Sequence, residues 1–198
     1  MKHTVFILVS IVFAVPFYSA PGPCVVPERG YFRIHVGTGG LFGGFAHEHL
    51  VEAQKIAGCA NLDPSGPTHS SLKLVFTTAN LRVIDPKESA KDRAEVQKTM
   101  ETDVLRVSEY PQVTFESTAI EASAGADEFR VHGNLTIRGK TLPVVIPVTF
   151  THLENATYRA AGKFRFKQTS FGIKPIVIGA GTIKVKDELQ TEFEIFLK

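Results

Sequence analysis

The sequence predicts an all-β protein: about eight antiparallel strands closing on themselves as a barrel, with one helix over about residues 86–105. Three observations predict it. Past residue 30, apolar and polar residues alternate in run after run, the two-residue period of a sheet with one apolar face. One stretch alone carries a helical period. The phenylalanines, 15 in a chain with no tryptophan, fall repeatedly on the inward parity of the alternating runs.

The chain has 198 residues. Its first 20 read as a secretory signal. Met1, Lys2 and His3 precede an apolar run from Val5 to Val15; Pro16 ends the run, and Tyr18-Ser19-Ala20 gives small residues at a cleavage spacing. A run of about 11 apolar residues is too short to cross a bilayer comfortably, so no stable membrane span is expected after cleavage. Export predicts a periplasmic or secreted protein. It also carries Cys24 and Cys59 into an oxidising compartment, where pairing is the default. If Tyr31–Val36 pairs antiparallel with His47–Ile56, a register that sets Val36 opposite His47 also sets position 24 opposite 59. A structural disulfide is therefore expected, with a reactive or metal-binding pair as the alternative.

The strands follow in order. Phe32, Ile34 and Val36 alternate first, and Glu48–Ile56 forms the next run. Leu72, Leu74 and Phe76 follow, then Val113 and Phe115. The hairpin-like second half is the clearest. Phe129, Val131, Leu135 and Ile137 are followed by Leu142, Val144, Ile146, Val148 and Phe150; then come Tyr158, Ala160, Phe164 and Phe166, and last Leu189, Thr191, Phe193, Ile195 and Leu197. Eight strands are enough for a sheet to close and hide its edges. Pro143 and Pro147 lack the N–H a ladder needs and mark an edge, a bulge or a seam. Between strands, Asp85-Pro86-Lys87-Glu88 reads as an N-cap, a first-turn proline and a near capping box. The stripe Ala90, Ala94, Gln97, Met100, Val104 is weakly apolar, which suits a helix lying over the surface or across an opening. One domain, residues 31–198, is expected.

A formal net charge of +2 is far from the basic excess of a nucleic-acid binder, and no nucleic-acid partner is expected. The glycine-rich stretch from Gly37 to Gly44 fits neither dinucleotide nor P-loop spacing, and strand rather than helix follows it. No serine sits in G-x-S-x-G. The one cluster of interest is His47-Glu48-His49, whose two imidazoles share a face on a strand. Three readings stay open for it: a metal site completed by one of His35, His69, His132 or His152, a hydrogen-bonded pair near a barrel mouth touching a polar headgroup, or a purely structural pair. For the interior, rings around a closed sheet either meet in a solid core or line an apolar tunnel.

Several stretches, in order, resemble the YceI-like family of polyisoprenoid-binding proteins: Gly44–His49, Asn80–Pro86, Asp92–Gln97, Glu109–Ser117, Gly133–Gly139, Gln168–Pro175 and Lys184–Leu189. Together they cover roughly residues 31–197. The resemblance implies an extended, lipocalin-like barrel with a helix packed near one end, and a channel for a long isoprenoid or fatty-acyl chain. It implies a non-enzymatic carrier without a cofactor, monomeric or homodimeric. No family motif marks the ligand residues. Inward parity nominates Phe76, Phe115, Phe129, Val131, Leu135, Ile137, Val144, Ile146, Val148, Phe164, Phe166, Phe193 and Ile195, and the cluster adds His47 and His49. The other reading is a metal-binding protein or metal-dependent enzyme using His47 and His49.

Overall fold

The computed structural model describes residues 22–40, 48–178 and 181–198; the expected signal segment and His47 lie outside them. The strands are β1 (Val25–Val36), β2 (Thr38–Gly39), β3 (His49–Ala53), β4 (Ile56–Asn61), β5 (Ser71–Thr77) and β6 (Leu81–Val83). After helix α1 (Ala90–Thr99) come β7 (Gln112–Ala122), β8 (Glu128–Ile137), β9 (Lys140–Leu153), β10 (Thr157–Lys167), β11 (Val177–Ile178), β12 (Ile183–Val185) and β13 (Glu188–Leu197). Among the described residues one curled antiparallel sheet holds ten strands, in the order β4-β5-β7-β8-β9-β10-β13-β1-β3-β6. A small sheet, β11-β12-β2, stands beside it.

Ten strands replace the expected eight for two reasons. The run Glu48–Ile56 is not one strand: Ala53 and Ile56 are both buried while Gln54 and Lys55 between them are exposed, so the alternation breaks there. Its two parts become β3 and β4, which sit near opposite ends of the sheet. The second addition is β6, three residues long and too short to show a period. The register differs as well. Val36 faces His49, not His47, a shift of two that preserves which side chains share a face.

The curl brings β4 back to the start of β1. The Ala60 N–H donates to the Pro23 carbonyl at 2.9 Å, and Cys24 and Cys59, directly opposite one another, are joined as a disulfide. On its other side Cys24 exchanges two backbone hydrogen bonds with Lys198, both 2.9 Å. The disulfide thus forms where position 24 meets 59, but through β4 rather than as an extension of the β1–β3 ladder.

A second discontinuity falls at the prolines. Pairing between β9 and β10 stops at Gly162 opposite Val148. Beyond it Lys163–Lys167 pairs with β13, while Lys140–Pro147 pairs with β8 alone. Pro143 and Pro147 therefore lie in the half of β9 that has lost a neighbour. Gly162 sits at the divergence because a Cβ there would collide with the Pro147 carbonyl and come within 2.8 Å of the Phe193 ring.

The helix starts later than the sequence suggests. Ser89, not Asp85, is its N-cap, accepting from the Asp92 N–H at 3.1 Å; Ser89-x-x-Asp92 is the better capping pair. One π-helical turn, Met100–Val104, extends it. None of its residues is buried, as the weak stripe implied. Its work is polar: Gln97 accepts from the Val83 N–H at 2.9 Å and donates to the Leu81 carbonyl at 2.9 Å, which completes the outer side of β6.

The disulfide closes a loop with a sequence separation of 35, so chain entropy assigns it roughly 3–4 kcal/mol. Replacing Cys24 and Cys59 together by alanine is expected to lower unfolding free energy by about that amount in urea titrations, with the strand content retained by circular dichroism.

Candidate functional site

The inward faces of the sheet enclose two different regions. Toward the α1 end, Val51, Ala53, Ile56, Leu81, Ile137, Phe171 and Ile173 are buried as a packed core. Toward the disulfide end the interior is hollow. An apolar cavity of about 110 Å³ runs among Phe32, Leu74, Phe76, Phe115, Phe129, Val131, Leu135, Ile146, Val148, Phe150, Phe164, Phe193 and Ile195. It reaches Leu62, Pro67, Ser70 and Ser71 at the largely exposed turn between β4 and β5, and its walls present no polar surface.

The rings neither fill the interior nor leave it wide. Phe32 stands between Phe76, at 4.7 Å between centroids, and Phe193, stacked at 5.8 Å. Phe129 meets Phe150 edge-on at 6.4 Å. Gly133 makes room for Phe115: a Cβ there would come within 2.5 Å of that ring. A cavity of about 150 Å³ admits a benzene molecule, and the hollow is somewhat smaller in volume than that.

Ten of the residues nominated by parity line the cavity: Phe76, Phe115, Phe129, Val131, Leu135, Ile146, Val148, Phe164, Phe193 and Ile195. Three do not. Ile137 is in the packed core and Val144 rests against it, while Phe166 turns to Phe171, 5.7 Å away and perpendicular. Phe32, Leu72, Leu74, Phe150, Ala160 and Leu197 sit in the alternating runs of the sequence and line the cavity without being among the nominated residues; Leu62, Pro67, Ser70 and Ser71 belong to the segment between β4 and β5, where period gives little signal.

His49 lies away from the cavity, at the α1 end. Its Nδ1 is 2.8 Å from Glu88 Oε1, and His49, Asp85 and Glu88 bring ligand-capable atoms within 4.8 Å of one another. The other described histidines have contacts of their own: His35 with Glu192 (3.2 Å), His132 with Glu121 (3.4 Å), His69 near Ser65 (3.3 Å), and His152 stacked on Tyr158 at 4.7 Å. His35 also lines the pocket around His49 and Asp85, but among the described residues the ligand-capable cluster is His49 with Asp85 and Glu88.

The outer face is a network of paired charges. Arg33 meets Glu52 at 2.8 Å, Lys163 meets Glu192 at 3.2 Å, and the Arg159 Nε donates to Glu194 at 2.7 Å. Partial burial works against the charged form of Glu192, but hydrogen bonds from His35 and Lys163 outweigh it and hold its carboxyl below the usual glutamate range. Alternation thus produces a charged, balanced exterior around a cavity whose walls carry no charged residue.

This arrangement defines a class: a curled antiparallel β-sheet wrapped around an apolar hollow. The chain belongs to the YceI-like family, whose domain matches residues 35–197. A UPF0312 protein of Azotobacter vinelandii is 32% identical over 149 residues, 72% of this chain and 69% of that protein. One from Yersinia pestis is 29% identical over 144 residues, 69% of this chain and 66% of that one. Among solved structures, Burkholderia cenocepacia BcnA superposes with a TM-score of 0.69 at 21% identity, covering 88% of this chain and 99% of that one. A polyisoprenoid binding domain from Saccharophagus degradans gives 0.67 at 9% identity, covering 90% and 99%. At these identities the two structures share the fold.

The lowered Glu192 carboxyl has a signed consequence. Its contribution to stability is present above the unfolded-state pKa of a glutamate and is lost as pH falls through the lower folded value. Lys163→Met is expected to move the Glu192 titration upward toward the ordinary range, read by carboxyl carbon chemical shifts in NMR.

Proposed function

We propose that this protein is an exported, non-enzymatic carrier of one long apolar lipid, an isoprenoid or fatty-acyl chain, taken up from the disulfide end. The observation that carries the reading is the uncharged cavity, with aromatic and aliphatic walls, inside a sheet whose outer face is charged. The structural likeness to a polyisoprenoid binding domain supports the isoprenoid as a candidate. The apolar opening segment and the Cys24–Cys59 bridge support export to an oxidising compartment.

Each methylene removed from water contributes about 0.8 kcal/mol. A ten-carbon stretch therefore grosses about 8 kcal/mol, a micromolar affinity before the cost of ordering the chain. No reaction and few polar contacts are needed. Phe32 stands between Phe76 and Phe193 inside the cavity, so its ring limits the room left for a chain.

Native mass spectrometry of protein purified from its own host is expected to show one lipid per chain. Phe164→Asp puts a charge in the cavity wall and is expected to lower occupancy roughly tenfold or more. Phe32→Ala widens the hollow and is expected to raise the rate of lipid uptake in a fluorescent fatty-acid exchange assay. A cavity that stays empty in the host protein and ignores added isoprenoids and fatty acids overturns the reading.

A further inference from the structure

We infer that His49, Asp85 and Glu88 form a binding site for one first-row divalent metal ion at the end of the sheet opposite the lipid entrance. The three side chains come from β3 and from the loop between β6 and α1, and their ligand-capable atoms lie within 4.8 Å of one another. An ion held about 2 Å from each donor places those donors at most roughly 4 Å apart, so small side-chain rotations complete the coordination.

The bonding within the cluster points to a missing partner. His49 Nδ1 is 2.8 Å from Glu88 Oε1, an ion-pair contact that uses one oxygen of the carboxylate. The Glu88 side chain is only 7% exposed, and its second oxygen, Oε2, is buried with no hydrogen-bond partner. A buried carboxylate oxygen left unpartnered is costly, and a cation between the imidazole and the carboxylates answers that cost. Asp85 is 3% exposed; its Oδ1 accepts the Lys87 N–H at 2.9 Å, which orients the carboxylate. Lys87 also lines this pocket, but its side chain is exposed and makes no ion pair with either acid among the described residues.

The loop is held before any ion arrives. Arg93 Nη1 donates to the backbone carbonyls of Asp85 (3.1 Å) and Glu88 (2.6 Å), and the Ile84 N–H bonds the Leu50 carbonyl at 2.8 Å, tying the loop to β3. Such fixing of the ligands' backbone is what a binding site needs. One imidazole with two carboxylates favours a borderline ion such as zinc over calcium or magnesium, which prefer all-oxygen sites. Three protein donors leave zinc a further position open to solvent, on the side where Glu48 also lines the pocket.

The test uses tag-free, disulfide-intact protein, stripped with a chelator and dialysed against zinc alone. About one zinc per chain is expected by elemental analysis, with nitrogen and oxygen donors in X-ray absorption. His49→Ala and Glu88→Gln are each expected to weaken zinc binding at least a hundredfold in calorimetry, and His152→Ala to leave it unchanged. Glu88→Gln preserves shape, and its metal-free circular dichroism checks that the fold survives. Wild-type protein that takes up no zinc overturns the inference, as does retention of full affinity in both variants. Lipid occupancy is read separately on the same samples, so failure of this site and failure of the carrier reading are distinguishable.

Discussion

A sheet with one apolar face and no second layer to lie against can hide that face only by curling around it. That constraint governs this molecule. The helix buries none of its residues fully and touches the core only through partly buried side chains of its last turn, Met100 and Val104, so the ten strands enclose most of their own interior. The outer parity is then free to be charged, and it is, with Arg33, Arg159 and Lys163 each matched by a carboxylate on a neighbouring strand. The closure is fastened at the point where β4 returns to β1, through one backbone hydrogen bond and one disulfide.

The enclosed space is divided by side-chain supply. At the α1 end the turn Gln168–Phe171 and the residues just after it add Phe171 and Ile173 to the interior, and the volume is filled. At the disulfide end no element contributes such plugs; the rings of Phe32, Phe76, Phe115 and Phe193 meet only partly, and a hollow remains. Losing a side chain from the filled half leaves a void and costs stability, whereas the hollow half already tolerates one.

Much of this was legible in the sequence because a strand's period is short and exact parity is easily read. Phe129 to Phe166 showed their faces, and most of the cavity wall followed. What stayed hidden has physical causes. The β3–β4 break depends on two buried residues, Ala53 and Ile56, spaced three apart, which a reading of hydrophobicity alone merges into one run. Strand β6 is too short for a period, and turn residues such as Leu62 reach the cavity by position rather than pattern. Parity also cannot say how far along the barrel a residue lies, which is why Ile137, Val144 and Phe166 point inward yet miss the hollow. His49 stood out through a neighbouring histidine, while the residues it actually meets, Asp85 and Glu88, were read as the start of a helix. Only the fold brings a strand and a loop more than thirty residues apart into one cluster.

The departure of β10 from β9 leaves half of β9 as a free flank. On that strand Phe150 directs its N–H toward the β8 side, to Asp127, so residues of opposite parity, Thr141, Pro143, Val145 and Pro147, face the gap. Proline has no N–H, and two of these four positions therefore offer no donor. A strand from another molecule arriving at this flank finds an interrupted ladder, even though Val145 is 49% exposed and apolar. The prolines act as a guard against edge-to-edge aggregation where β9 and β10 part.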